Sequence, residues 1–309
     1  KIGFIGSSEI SSFHIDALRN NKFEIEAIGT RLGSLRCEKF VKTKNLSHKF
    51  CRGGWEEVLS KDVDAFCLCI DTLETSKILK EILKIGKPVL VEKPISIYLN
   101  EFNYFIKNPM KNKIFVGYNR RYYETINAAK KKCSQSIDGG TVIVNIPESI
   151  SFFKDFLTYG CHIIDSLRYI IGDFEILEKI SKRDKTNLNF QSIYALCKNK
   201  KWNISINAHN NIPANFSIMI IIDDLVYELK PLEKLTIYKG MEVLEPTIDE
   251  PIRRYIPHIK ECINEKTIFK PGFDKMYQNF SKFVSNKKVD FCSINDARKT
   301  IEICGDLIS

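Results

Sequence analysis

The chain has 309 residues, 44% hydrophobic and 11% aromatic, with a formal charge of +9 from 47 basic and 38 acidic side chains. That composition excludes a fibrous or disordered chain and suits roughly two ordinary domains. No apolar run approaches the ~18 residues of a membrane helix, and the basic residues are dispersed, so neither membrane nor nucleic-acid partners are expected.

Strand and helix patterns alternate from the start. Ile2–Ile5 reads as a strand, Glu9–Asn20 as a helix, Ile25–Thr30 as a strand and Ser34–Lys42 as a helix. Then come helix Trp55–Leu59, strand Ala65–Ile70, helix Thr75–Ile85, strand Val89–Glu92 and, after another helical stretch, strand Ile114–Tyr118. This spacing predicts an α/β fold with a parallel, doubly wound sheet. Such sheets bind ligands beyond the carboxyl ends of their strands. Gly6, Thr30, Asp71 and Glu92-Lys93-Pro94 therefore fall on one rim. Farther on, Phe190–Lys198, Lys201–His209, Phe216–Asp223, Leu225–Leu229 and Lys234–Lys239 read as strands. Lys201–His209 alternates Trp202, Ile204, Ile206 and Ala208 with Asn203, Ser205, Asn207 and His209, one face apolar and one polar.

The first strand–helix junction, GFIGSSEIS, sits where a dinucleotide fingerprint G-x-G-x-x-G belongs, but Ser8 and Ser11 hold the second and third glycine slots. Gly6 makes the tight turn. Ser7, Ser8, Glu9 and Ile10 would place amides, and Ser8 a hydroxyl, around a pyrophosphate. The same junction also occurs without any cofactor. An NAD-binding site places an acid at the end of the second strand. Here Thr30 and Arg31 stand there, a pair that suits a 2′-phosphate and favours NADP(H) over NAD(H); Arg31 also reads as a plain solvated loop residue.

Gly86–Ser96, GKPVLVEKPIS, resembles the signature of the glucose–fructose oxidoreductase / inositol dehydrogenase (Gfo/Idh/MocA) family. In the same order, DVDAFCLCI resembles its fourth strand, VGYNRRYY the segment leaving the nucleotide domain, and YGCHIIDSLRYIIGD its G-x-H-x-x-D helix. Residues 277–303 resemble its closing helices, and SSFHIDAL, with His14, its first helix. The resemblance implies an N-terminal Rossmann domain over residues 1–118. It also implies a C-terminal α/β domain over 119–309 with a large, mainly antiparallel sheet, and closing helices that pack back on the first domain. Members typically oxidise or reduce a sugar or polyol with NAD(P), and the open sheet commonly packs against another subunit, which implies a homodimer or homotetramer.

The resemblance assigns roles to particular residues. Lys93, the lysine of Glu-Lys-Pro, would hydrogen-bond the reacting oxygen, with Glu92 beside it at the cofactor. His162 would exchange the proton, and Asp165 would orient His162 or bind substrate hydroxyls. Helical spacing supports this, since His162, Asp165, Ser166 and Tyr169 form a polar stripe on an otherwise apolar helix. A structural histidine near a helix start, with Asp165 exposed, is the alternative. Arg121 would contact cofactor or tie the domains; Tyr118 and Thr158 would line the substrate site. Thr158 stands where many members carry an aspartate that assists proton transfer, and Ile70-Asp71 replaces the usual Thr-Pro. These departures leave open a nucleotide-linked or acidic sugar, or a member that binds cofactor without turnover.

Five scattered histidines show no metal-ligand spacing, so no metal is expected. Ten cysteines without a C-x-x-C pair, and no visible signal peptide, point to a reduced, cytoplasmic protein. Abundant Ile, Lys and Asn suggest an AT-rich bacterial genome, with glycan synthesis as a setting.

Overall fold

The computed structural model describes residues 1–148, 150–186, 189–266 and 270–309. The chain divides into two compact units: Lys1–Tyr122 with Thr267–Glu302, and Tyr123–Lys266 with Ile303–Ser309.

The first unit is a five-stranded parallel sheet of β1 (Ile2–Ile5), β2 (Ile25–Gly29), β3 (Ala65–Leu68), β4 (Val89–Val91) and β5 (Ile114–Val116), in the order β2-β1-β3-β4-β5. The segment likened to a fourth strand is thus the third. Between strands run α1 (Glu9–Asn20), α2 (Leu35–Thr43), α3 (Trp55–Leu59), α4 (Thr72–Ile85) and α5 (Leu99–Lys107). Strands β1, β3, β4 and β5 are buried at every position, as continuous apolar runs covered on both faces must be. The order reverses at β1, and the rim beside β1 and β3 is the crevice such sheets offer to a ligand.

Helix starts follow the side chains. Ser34 caps α2 by accepting from the Cys37 amide, and Asp71 caps α4 by accepting from the Leu73 amide. Gly86, left-handed at φ +75°, ends α4.

A cut at residue 118 leaves out part of this unit. The 3₁₀ turn Asn119–Tyr122 belongs to it, and α9 (Phe273–Val284) closes its core. Phe273, Met276, Tyr277 and Phe280 of that helix are buried among Ile15, Leu18, Cys67 and Phe115.

The second unit holds α6 (Glu124–Gln135), β6 (Gly140–Ile146), the short α7 (Phe153–Asp155), a π-helical turn (Phe156–Gly160) and α8 (Cys161–Ile171). Strands β7 (Glu175–Arg183), β8 (Phe190–Lys198), β9 (Trp202–His209), β10 (Ser217–Ile222), β11 (Leu225–Leu229), β12 (Lys234–Leu244) and β13 (Arg254–Asn264) follow. The eight strands order as β13-β12-β11-β10-β6-β9-β8-β7, antiparallel except for the parallel pair β6 and β9. The predicted alternation of β9 is observed: Trp202, Ile204, Ile206 and Ala208 are buried, the intervening residues not. On the open face, Leu196 pairs with Ser205, Ser205 with Ile143 and Ile143 with Met219. Residues β7 and β13 carry little burial, which explains why neither shows a strand pattern in the sequence. The last helix, α10 (Ile294–Ile308), begins in the first unit and ends in the second.

No helix among the described residues is long and apolar enough to cross a membrane. All ten thiols are free, and only Cys262 is exposed.

Candidate active site

The turn after β1 is built for close approach. A Cβ on Gly6 would lie 2.3 Å from the Cys69 carbonyl oxygen and 2.8 Å from Ser11 Oγ, so no side chain fits. Ser11, in the third glycine slot, is fully buried and works as a tie. Its Oγ accepts from the Ser8 amide at 3.0 Å and donates to the Cys69 carbonyl at 3.4 Å, fastening α1 to the end of β3. Ser8 Oγ lies 3.0 Å from Ser11 Oγ, so the second serine is held by the third.

Beyond these strand ends lies a cavity of about 500 Å³ lined by Ile5 of β1 and by residues of the segments that follow β1, β2 and β3. It brings together Ser7, Ser8, Thr30, Arg31 and Asp71 of the expected residues. It adds Ser34, Arg36, Trp55 and Glu74, which the sequence reading missed. The signal for Arg36 was there: RLGSLR places a second arginine just past a serine cap. Thr30 Oγ1 is buried and, the Cys37 thiol aside, has no hydrogen-bond partner among the described residues. No acid stands at the end of β2, while Arg31 and Arg36 are exposed beside it. Asp71 has a structural duty already, as the cap of α4. A glycine-only turn, a helix N-terminus, a waiting hydroxyl and two guanidinium groups fit the phosphates and ribose of a dinucleotide.

The remaining expected cofactor residues do not line this cavity. Glu9 is exposed, and Ile10 packs against the core. Glu92 turns inward: its Oε1 lies 2.9 Å from His14 Nε2, and its Oε2 accepts from the Lys93 amide at 3.0 Å. His14 is fully buried, with Nδ1 2.7 Å from the Tyr277 hydroxyl, which in turn lies 3.2 Å from Cys67 Sγ. Burial alone would lower His14, but Cys69 and Glu92 outweigh it and raise the imidazole to about 9. Burial also pushes the Cys69 thiol up. Burial would likewise raise Glu92, but His14 and Lys93 draw it below the usual carboxylate range. Lys93 is half-buried immediately after this carboxylate, and its peptide bond to Pro94 is cis. Tyr118 is buried. Arg121 is buried too, with its Nη1 4.0 Å from Asp296 of the same unit.

In the second unit, His162 is half-buried in the first turn of α8. The stripe it begins is not a solvent face. Asp165 and Ser166 are buried, and the Ser166 hydroxyl donates to the His162 carbonyl at 2.7 Å. Arg168, also buried, pairs with Asp173 at 2.6 Å. Asp165 is not exposed, as the structural-histidine alternative had it, because α8 is enclosed on nearly every side. Thr158 lies in the π-helical turn, its hydroxyl donating to the Lys154 carbonyl at 2.7 Å. Among the described residues no cluster of His, Cys, Asp or Glu suits a metal ion.

A doubly wound parallel sheet with this glycine turn defines a Rossmann-fold unit. Residues 1–118 match the Gfo/Idh/MocA oxidoreductase family, described by its NAD-binding Rossmann fold. It is 26% identical over 191 residues to myo-inositol 2-dehydrogenase of Thermotoga maritima, covering 56% of this chain and 55% of that protein. It is 25% identical over 185 residues to inositol 2-dehydrogenase/D-chiro-inositol 3-dehydrogenase of Lacticaseibacillus casei, covering 56% and 53%. The aligned part spans about half the length of these curated relatives. Among solved structures, a dehydrogenase from Clostridium difficile shares the fold with a TM-score of 0.80 at 18% identity, covering 99% of this chain and 98% of that one. UDP-N-acetylglucosamine 3-dehydrogenase from Acidithiobacillus ferrooxidans does so at 0.78 and 14%, covering 99% and 95%.

Proposed function

We propose that the protein is an NAD(P)-dependent oxidoreductase that moves a hydride between nicotinamide and a hydroxyl or carbonyl carbon of a sugar derivative. The cavity at the ends of β1, β2 and β3 carries this reading, together with the family match of the same residues. Arg31 and Arg36, with no acid at the end of β2, favour NADP(H), since a guanidinium attracts a 2′-phosphate and an acid repels it.

When bound, the nicotinamide supplies the hydride acceptor or donor. The chain's task is then to manage charge and a proton. Lys93 donates a hydrogen bond to the reacting oxygen and stabilises the charge that grows there. His162 exchanges the hydroxyl proton, an imidazole being suited to both directions near neutrality. Asp165, three residues on, orients it. Thr158 cannot take a proton at neutral pH and contributes only a hydroxyl to the sugar.

The names of the relatives set the first substrate panel: myo-inositol and UDP-N-acetylglucosamine, followed by other free and nucleotide-linked sugars. The test is tight NADPH binding, seen as a fluorescence change, and panel-dependent oxidation of NADPH or reduction of NADP⁺ that Lys93→Ala abolishes. Tight NADPH binding with no turnover on any sugar would instead favour a sensor or scaffold, the reading that Thr158 supports. The open face of the eight-stranded sheet, with exposed Tyr194, Leu196 and Ile221, is in this proposal the surface that pairs with a second copy.

A further inference from the structure

We propose that His14 is a positioning residue for Lys93: its imidazole, backed by Tyr277, clamps the Glu92 carboxylate and so fixes the Glu92-Lys93-Pro94 turn. This deepens the reading above and rests on its assignment of Lys93.

The clamp joins three elements distant in sequence. His14 comes from α1, Glu92 from the end of β4 and Tyr277 from α9. Each heteroatom of the imidazole has a designated partner, Nε2 the carboxylate at 2.9 Å and Nδ1 the phenol at 2.7 Å. The ring is held edge-on by Phe273, centroid to centroid 4.8 Å. An imidazole with no exposure and both nitrogens engaged has one orientation. On the other side, one carboxylate oxygen faces His14 and the second accepts from the amide of Lys93 itself. The Glu92 charge is thus met by the imidazole and the Lys93 amide as well as by the Lys93 charge. The consequence is conformational, because a bond from the carboxylate to the following amide sets the direction in which residue 93 leaves the strand.

The groups around the imidazole are few. Cys67 and Cys69 come from β3 and its end, Glu92 and Lys93 from the end of β4, and Tyr277 from α9. Cys69 and Glu92 are the partners that raise His14 against its burial. His14 is raised to about 9, so the clamp is charged throughout the neutral range and releases in alkali.

The test uses the full chain and four substitutions: His14→Gln, which keeps a neutral donor to Glu92, Tyr277→Phe, Glu92→Gln and Lys93→Ala. Circular dichroism checks folding. Deuterium exchange reads the backbone of residues 89–97, and turnover is followed with myo-inositol and UDP-N-acetylglucosamine as probes. The clamp predicts faster exchange over 89–97 in the His14, Tyr277 and Glu92 variants. It predicts kcat lower by about tenfold, the cost of a small misplacement, with NADPH affinity held within about twofold. Wild-type activity should fall as pH rises through about 9, and His14→Gln should lack that limb. Unchanged exchange in His14→Gln and Tyr277→Phe, or an alkaline limb that survives His14→Gln, overturns the proposal. If His14→Gln fails to fold, Tyr277→Phe decides by the same exchange and pH readouts. Full turnover in Lys93→Ala overturns the assignment of Lys93 instead, and the exchange data still decide whether the clamp exists.

Discussion

Gly6 has no room for a methyl group. Gly6→Ala drives a Cβ to 2.3 Å from the Cys69 carbonyl, backbone against backbone, which forces the turn open. We expect a stability loss of about 1–3 kcal/mol, read by urea denaturation, and loss of NADPH binding with it. The serines behave differently. Ser11 bonds both the Ser8 amide and the Cys69 carbonyl, so Ser11→Ala removes two ties and should cost about 1–2 kcal/mol. Ser8→Gly should keep the fold; weaker NADPH binding in that variant marks Ser8 as a phosphate ligand, tighter binding marks it as an obstruction. Arg31 and Arg36 are exposed arginines at one end of the cavity. Replacing either by alanine should weaken NADPH about tenfold while leaving NADH nearly untouched, as loss of one charge-assisted contact to a phosphate predicts. Equal effects on the two cofactors, measured by fluorescence titration, would refute the NADP(H) preference.

At the scale of elements, α1, the end of β4 and α9 are tied by one buried chain of polar groups, Glu92 to His14 to Tyr277 to Cys67. His14 in the fold stands at about 9, above its ordinary 6.5. The stability it contributes is therefore complete below about 6.5 and is lost as pH rises through about 9. Glu92 is lowered from 4.5, so its contribution is complete above that value and is lost on acidification. Thermal unfolding should accordingly show a Tm that declines between pH 6.5 and 9, with the decline abolished by His14→Gln. A Tm flat over that range would mean that His14 is not charged in the fold. The helix α9 also carries apolar weight: Phe280 is fully buried among Phe23, Phe115 and Phe283. Phe280→Ala should cost about 3–5 kcal/mol, the range for emptying an aromatic site.

At the scale of the molecule, one face of the eight-stranded sheet is covered and the other presents Tyr194, Leu196, Ile143, Met219 and Ile221 among polar neighbours. A second copy on this face would bury those side chains. Leu196→Glu combined with Ile221→Glu should then shift the protein to monomers in sedimentation velocity without a change in circular dichroism. An unchanged sedimentation coefficient would exclude this face as the self-association surface. The β13 edge argues the same way, since it carries Pro257 and a proline in an edge strand blocks pairing by strand addition.

Much of this was legible along the chain because the first unit is built from local periodicities. Buried parallel strands must be unbroken apolar runs, helices must show their stripe, and the turn between them must be small. Ile2–Ile5, Glu9–Asn20 and Trp55–Leu59 are accordingly the same in pattern and in structure. Strands β7 and β13 were invisible because they bury little, and an unburied strand has no reason to alternate. The burial of Asp165 was not legible for a related reason: helical spacing gives the angle between Asp165 and His162 but not which angles are covered by other elements. What the sequence by itself determined is the doubly wound sheet, the turn at Gly6 and the family signature around Lys93. What only the tertiary structure decided is which residues meet. Arg36 and Trp55 join Arg31 in one cavity, and His14, Glu92 and Tyr277 form one clamp, because partners 78 and 263 residues apart are chosen by packing and not by periodicity.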